Sequence, residues 1–341
     1  MKTFIIAEAG ANHDRKFDQA LKLIDVAVEA GADAVKFQTY SSETLYAKNT
    51  PNFAGYSNIN KLIKDIELPR EWQRDLKEYC DESGIEFMST PFDTDAVDEL
   101  YNLGVKRLKI AGFEATDPRI VKYAASTQLP LIITAGIGVD LVTIQKIIDW
   151  VVEKNPNPDL TFLHGNNAYP TPYEDVCLGQ IKSIKDMNYT TNISVGISDH
   201  SRGILIPPVA VALGATTVEK HYTLSRYLPG PDHAEHALEP HELIQMVNNI
   251  RDVELSLKQK NSMTDSEKKF KYAMRSIVTN KDLPAGHKIT IEDITTKRPA
   301  IPGCLEAYDY YNIIGLTLTT DKKADEILKI GEVHEDTIFG K

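Results

Sequence analysis

From residue 4 to about residue 255 the chain repeats one unit eight times: a short apolar run rich in Val, Ile, Leu or Phe, then a longer segment with helical spacing. The runs cover residues 4–10, 34–38, 86–92, 107–112, 129–136, 160–165, 193–200 and 216–223. Helical candidates lie between them at 18–30, 70–83, 93–103, 118–127, 140–153, 173–187 and 204–213, and 240–257 closes the series. Eight β-α units over this length predict a (β/α)8 TIM barrel occupying residues 1–257.

Beyond residue 257 the repeat stops. Residues 258–274 are polar and lysine-rich and read as a linker. Residues 275–341 carry short strand-like pieces at 276–279, 289–290 and 327–329 among frequent Pro and Gly, which predicts a small, β-rich, loop-rich domain. Residues 41–69 are too long for a simple βα connection and, at the carboxyl end of a strand, are a candidate lid.

Composition narrows the partners. The formal charge of -11 argues against nucleic acid and anionic membrane, which need clustered Lys and Arg. It does not exclude a small anion in a cleft with a few lysines. No apolar stretch reaches membrane-span length. The start, Met-Lys-Thr-Phe-Ile-Ile, briefly looks like a secretory signal, but Glu8 interrupts it. Three cysteines, Cys80, Cys177 and Cys304, lie far apart without metal or redox spacing, which fits a reducing cytoplasm.

Barrel enzymes place their chemistry at the carboxyl ends of the strands. Here nearly every strand ends in polar groups: Glu8, Asn12 and His13; Lys36 and Gln38; Ser89 and Thr90; Lys109 and Glu114; Thr134; Asn166, Asn167 and Tyr169; Ser198, Asp199 and His200; Glu219, Lys220 and His221. His200 and His221 end adjacent strands, about 5 Å apart, and could share one divalent ion. Of the later histidines, His236 and His241 read as surface residues and His233 is left open. Lys36 and Lys109 emerge near the mouth, where a buried ammonium needs an anion beside it. A phosphate or carboxylate ligand would supply one. So would salt bridges to Glu8, Glu114 or Glu219, and either lysine could instead be a Schiff-base nucleophile.

With these residues assembled, the chain resembles the sialic acid synthase family, which includes the N-acetylneuraminate, legionaminic acid and pseudaminic acid synthases. The resemblance is carried by Ile6-Ala-Glu-Ala-Gly-Ala-Asn-His13, Gly31-Ala-Asp-Ala-Val-Lys-Phe-Gln-Thr39, Ser89-Thr-Pro-Phe92 and Lys109-Ile-Ala-Gly-Phe-Glu114. It continues through Tyr169-Pro-Thr-Pro172, Gly196-Ile-Ser-Asp-His-Ser201, Glu219-Lys-His-Tyr-Thr223, Gly230-Pro-Asp-His233 and Leu238-Glu-Pro240. The tail resembles that family's antifreeze-like (SAF) domain, with Arg275-Ser and Lys297-Arg-Pro299.

The resemblance implies a synthase that joins phosphoenolpyruvate to an N-acyl mannosamine-type aldehyde sugar and releases phosphate by C–O cleavage. It implies that Lys36, Thr90, Lys109, Thr134, Asn167 and Ser198 hold phosphoenolpyruvate and that His200 and His221 bind Mn²⁺ or Mg²⁺. Glu114 and Glu8 are then catalytic, and Gln38, Tyr169 and Asp232 face the sugar. It further implies a domain-swapped homodimer in which Arg298 contacts the N-acyl group of a sugar in the other subunit. Three stretches depart from the family's pattern: Ala111-Gly112-Phe113 lacks a serine common there, Gly165-Asn166 replaces Cys-Thr, and Asp14 stands where a glycine is usual. Two other readings compete, a metal-independent Schiff-base aldolase using Lys36 or Lys109, and a non-enzymatic carbohydrate-binding protein.

Overall fold

The structure is a computed structural model that describes residues 2–52, 56–187, 189 and 191–334. Eight parallel strands, β1 (Phe4–Glu8), β2 (Ala34–Thr39), β3 (Glu86–Pro91), β4 (Leu108–Ile110), β5 (Leu131–Ala135), β6 (Leu160–Gly165), β7 (Ser194–Asp199) and β8 (Thr217–His221), form one sheet. Their bonded order is β3-β2-β1-β8-β7-β6-β5-β4, and β3 packs beside β4, which closes the (β/α)8 barrel. Register aligns the functional ends: Glu8 is opposite Lys36 on one side and His221 on the other, and Ser198 is opposite Glu219.

The helices are α1 (Phe17–Glu29), α2 (Ile59–Ile66), α3 (Trp72–Ser83), α4 (Thr94–Leu103), α5 (Pro118–Ser126), α6 (Leu141–Lys154), α7 (Gly179–Asp186), α8 (Ile206–Ala212), α9 (Pro240–Ser256) and α10 (Asp265–Lys268). Asp93, Asp117 and Asp140 start three of them, each carboxylate accepting a backbone N–H of the first turn. The barrel helices present an apolar stripe to the sheet. On α6 the stripe is Ile144, Ile147, Ile148 and Val151, all fully buried, and such a side chain contributes about 1.5–3 kcal/mol. Inside the barrel Ile6, Ala34, Met88, Ile132 and Leu163 fill the floor, and the lumen-facing polar strand ends lie above them.

Three segments differ from the sequence-based expectation. Residues 41–69 are not a bare loop: Asn58 caps α2 by accepting from Lys61 N, and Ile59 and Ile63 pack with Tyr40, Leu45, Tyr46 and Phe92 in a small core of their own. The expected helix 173–187 is broken into a 3-10 turn, Tyr173–Asp175, and α7, because Cys177 at φ 51° leaves the right-handed region. The polar stretch after residue 258 contains α10, closed by a reciprocal Thr264–Glu267 capping box.

The chain divides into two compact units between Lys258 and Gln259. In the second, β9 (Ser276–Thr279) pairs antiparallel with β10 (Ile294–Lys297) around Ile277, Leu283, Ile289, Ile294, Leu305, Ile313, Leu318 and Leu328. Residues 289–290 do not form the expected strand. Ile289 N instead bonds Leu316 O beside an isolated Lys288–Thr317 bridge.

Candidate active site

Alternation along the strands decides which polar ends face the lumen. Lys36 and Gln38 share one face of β2, Glu219 and His221 one face of β8, and Ser198 precedes His200 on the same face at the end of β7. Together they line a cavity of about 510 Å³ at the carboxyl end of the barrel. The residues that the resemblance assigns to the site line it except two, and of the other polar strand ends Glu219 lines it, whereas Asn12, His13, Ser89, Asn166, Asp199 and Lys220 do not. Glu114 follows the lining residues Ala111, Gly112 and Phe113 but is not itself in the lining, and is close enough to Lys109 and Tyr46 for its charge to act on both. Arg298 lies exposed in the second unit. A larger groove of about 800 Å³ elsewhere is shallow and lined by solvated charges such as Arg74, Lys77 and Glu78, with none of the strand ends.

The floor of the cavity is an ion cluster. Lys36 Nζ lies 2.7 Å from Glu8 Oε2 and 3.8 Å from Glu219 Oε2, and donates to Thr90 Oγ1 at 2.9 Å. Lys109 Nζ donates to Glu219 Oε1 at 3.2 Å, and Ser198 Oγ donates to the same oxygen at 3.0 Å. Gln38 holds the other Glu8 oxygen at 2.7 Å. Burial would lift Glu219, but Lys109 and Lys36 outweigh it and hold its carboxyl well below the usual range. Burial wins at Glu8, which is pushed up despite Lys36. Lys36 is driven down by burial but more strongly up by Glu219 and Glu8, whereas burial prevails at Lys109 and lowers it. Two lysines and two carboxylates thus share the cavity floor, with Glu219 held ionised and Glu8 the carboxyl readiest to take up a proton. With Glu8 protonated the cluster carries one net positive charge, which an anion would match.

Beside the lysines, Asn167 accepts from Ile137 N at 2.9 Å, and Thr134 Oγ1 is buried without a hydrogen-bond partner. A Cβ on Gly112 would come within 2.8 Å of Asn167 Oδ1, and one on Gly136 within 2.2 Å. The serine missing from Ala111-Gly112-Phe113 therefore corresponds to space that the Asn167 amide occupies. Asp14, where a glycine is usual, adopts φ 48°, a left-handed conformation that Asp tolerates better than most residues. Its carboxylate there meets His233 Nε2 at 3.0 Å.

On the other side stand the histidines. His200 Nδ1 donates to the Asn166 carbonyl at 2.5 Å, since a carbonyl can only accept, and this leaves a lone pair on Nε2, which among the described residues only Ser198 Oγ approaches, at 3.5 Å. The ring of His221 lies 5.3 Å from that of His200, and its Nδ1 is buried without a partner. Burial pushes His200 down to about 4 and His221 well below its ordinary value, so both are neutral and can donate a lone pair. Among the described residues no group of three or more His, Cys, Asp or Glu is arranged to hold a metal ion. Two imidazoles fit one divalent ion only if substrate and water fill its other positions, the open arrangement of a catalytic rather than a structural site. The Tyr169 ring packs 4.2 Å from that of His200, tilted by 41°, and Asp232 accepts from Ala11 N at 3.0 Å where Gly10, at φ 52°, lets it approach.

Sequence reasoning underweighted two residues. Glu219 was one of several possible structural partners, yet it joins both lysines; its place two residues before His221 on one strand would have shown the shared face. His236 reads as a surface residue in sequence but is 2% exposed and lines the cavity, its ring 5.0 Å from that of His221 and 5.1 Å from that of Tyr169. No periodicity marks it, because it sits in the irregular loop between β8 and α9. His233 is buried too, bonded to Thr223 and Asp14.

Fold and cavity together define a (β/α)8-barrel enzyme whose cavity sets a buried lysine–carboxylate cluster next to neutral imidazoles. The chain belongs to the NeuB family, whose model matches residues 23–262, and an SAF domain follows at residues 274–333. It is 38% identical to the N,N'-diacetyllegionaminic acid synthase of Legionella pneumophila, over 96% of this chain and 94% of that one. It is 33% identical to the pseudaminic acid synthase of Campylobacter jejuni, over 97% and 96%. Among solved structures it is similar to the N-acetylneuraminic acid synthetase of Leptospira borgpetersenii, determined with citrate, with a TM-score of 0.70, 33% identity, and coverage of 79% and 90%. No described helix is long and apolar enough to cross a membrane.

Proposed function

We propose that this chain is a nonulosonic acid synthase that condenses phosphoenolpyruvate with the open-chain aldehyde of an N-acyl mannosamine-type sugar. The observation that carries the reading is the buried cluster of Lys36 and Lys109 around Glu219 and Glu8 at the barrel mouth, cationic once Glu8 is protonated. Phosphoenolpyruvate brings the phosphate and carboxylate that such a pair would bind, with Thr90, Thr134, Asn167 and Ser198 around it as hydrogen-bonding groups. Its C3 forms a bond to the aldehyde carbon, water adds at C2, and the C2–O bond breaks to release inorganic phosphate. Glu114, pushed up to about 7 by burial, takes the proton of the attacking water. Glu8, next to Lys36 and Gln38, is poised to give a proton to the oxygen that was the aldehyde.

His200 and His221 would hold Mn²⁺ or Mg²⁺, which when bound supplies Lewis-acid polarisation of the aldehyde. Gln38, Tyr169 and Asp232 line the side of the cavity left for the sugar. The working assembly on this reading is a cytoplasmic homodimer in which the partner subunit's Arg298 contacts the sugar's N-acyl group. Mixing Arg298→Ala with Glu114→Gln chains should then regain activity that neither has alone; a mixture as inactive as its parts would count against the swap.

The test of function is phosphate release from phosphoenolpyruvate with Mn²⁺, across N-acetylmannosamine and 2,4-diacetamido-2,4,6-trideoxymannose. The expected result is release that needs the sugar, stops with chelator and vanishes in His200→Ala. One observation favours the Schiff-base alternative, the burial that pushes Lys109 down toward its amine form. Activity that survives chelator, with borohydride trapping of the sugar on Lys109, would establish that route instead.

A further inference from the structure

The loop after β8 carries two buried histidines three residues apart, and they differ in how they are satisfied. His233 is held at both nitrogens, Nδ1 by Thr223 Oγ1 at 2.6 Å and Nε2 by Asp14 Oδ1 at 3.0 Å. His236 has no hydrogen-bond partner at either nitrogen, although it is 2% exposed. It meets Tyr169 and His221 nearly edge-on, at interplanar angles of 77° and 73°, contacts that use ring faces and edges and leave its nitrogens free. Buried polar groups without partners are uncommon outside functional sites. This one forms part of the cavity wall with Pro231, Asp232 and Ala234.

We propose that His236 is a specificity-determining residue that hydrogen-bonds a hydroxyl or N-acyl group of the acceptor sugar. The assignment rests on the condensing reading of the cavity. The anionic substrate does not need this ring, because on that reading its phosphate and carboxylate lie against Lys36 and Lys109 on β2 and β4, whereas His236 sits in the loop after β8 against His221 and Tyr169. Nor is it a third metal ligand, since no trio of suitable side chains among the described residues is arranged around one point. A neutral imidazole offers one donor and one acceptor, the complement of a sugar hydroxyl or of the two ends of an amide. Sites built this way reject an analogue lacking the partner group far more strongly than an apolar wall does.

The experiment uses the full chain with saturating Mn²⁺, N-acetylmannosamine and 2,4-diacetamido-2,4,6-trideoxymannose as acceptors, and the variants His236→Leu and His236→Asn. Steady-state constants are measured for each substrate, with Mn²⁺ affinity followed by electron paramagnetic resonance and folding by thermal melting. His236→Leu should raise the KM of the accepted sugar roughly 10-fold or more, with the phosphoenolpyruvate KM and Mn²⁺ affinity within about twofold of wild type. His236→Asn, which keeps a donor and an acceptor, should recover most of the loss, and it serves as the test if the Leu variant does not fold. A sugar KM unchanged in the variants would overturn the assignment, as would weakened Mn²⁺ binding, which would make His236 a metal ligand. A wild-type chain that turns over neither sugar would instead overturn the condensing reading beneath it.

Discussion

The opposite faces of β7 and β8 each bury a lysine against a carboxylate, and they differ in completeness. On the helix-facing side, Lys220 is fully buried, donates to Asp199 Oδ2 at 2.8 Å and also to the Ser201 carbonyl, while Asp199 Oδ1 accepts from Ser201 N. Both charges there are matched. On the lumen side Lys36 pairs with Glu8, both lysines share the firmly ionised Glu219, and Thr134 Oγ1 and His221 Nδ1 make no hydrogen bond. The closed pair is scaffold and the open cluster is a site, so buried charge marks chemistry only where its partners are incomplete.

The sharpest way to break this comparison is to remove one lysine from each side. Lys109→Met should lower kcat/KM for phosphoenolpyruvate about 10³-fold, as expected for loss of a charged clamp, with a melting temperature near that of wild type. Retention of a tenth of wild-type activity would place the anion elsewhere. Lys220→Met should do the reverse. It strands Asp199 as an unpaired buried charge and should cost about 3–5 kcal/mol in denaturant unfolding, while the folded fraction keeps its phosphoenolpyruvate KM. If Lys109→Met proved the less stable of the two, the division into scaffold and site would be wrong.

A smaller effect sharpens the site itself. Glu114 titrates near 7 because burial disfavours its charged form. As the base that takes a proton from water it must be ionised, so kcat should fall about tenfold per pH unit below that value, and it should fall again above it as Glu8, the acid, also pushed up to about 7, loses its proton. A Glu114→Gln enzyme that keeps both its rate and this acid limb would assign the limb to another group. The smallest expected change is at Gly112, where a methyl group would press on Asn167 Oδ1. Gly112→Ala should raise the phosphoenolpyruvate KM a few-fold, about 1 kcal/mol, because an amide end can shift. No change would mean that Asn167 does not hold this substrate.

The same faces explain how much was legible beforehand. Strands covered by helices announce themselves as apolar runs, and their polar carboxyl ends name the rim, so Lys36, Lys109, Ser198, His200 and His221 could be placed from spacing alone. Glu219 was visible as a residue but not as the hub, because its role depends on two lysines brought from β2 and β4. His236 reads as a surface residue, since a loop without periodicity gives no face to read, yet it is buried in the cavity wall. The helix across residues 173–187 failed at Cys177, where a left-handed residue is imposed by tertiary structure rather than by a glycine. Residues 41–69 hid α2 because its apolar residues serve a separate small core.

The most direct test of the account is to supply phosphoenolpyruvate labelled with ¹⁸O at its bridging C2–O position, together with Mn²⁺ and the accepted sugar, and to locate the label. Condensation at this cavity predicts sugar-dependent turnover with the ¹⁸O leaving in inorganic phosphate. Label retained on carbon, or phosphate released without any sugar, would contradict it.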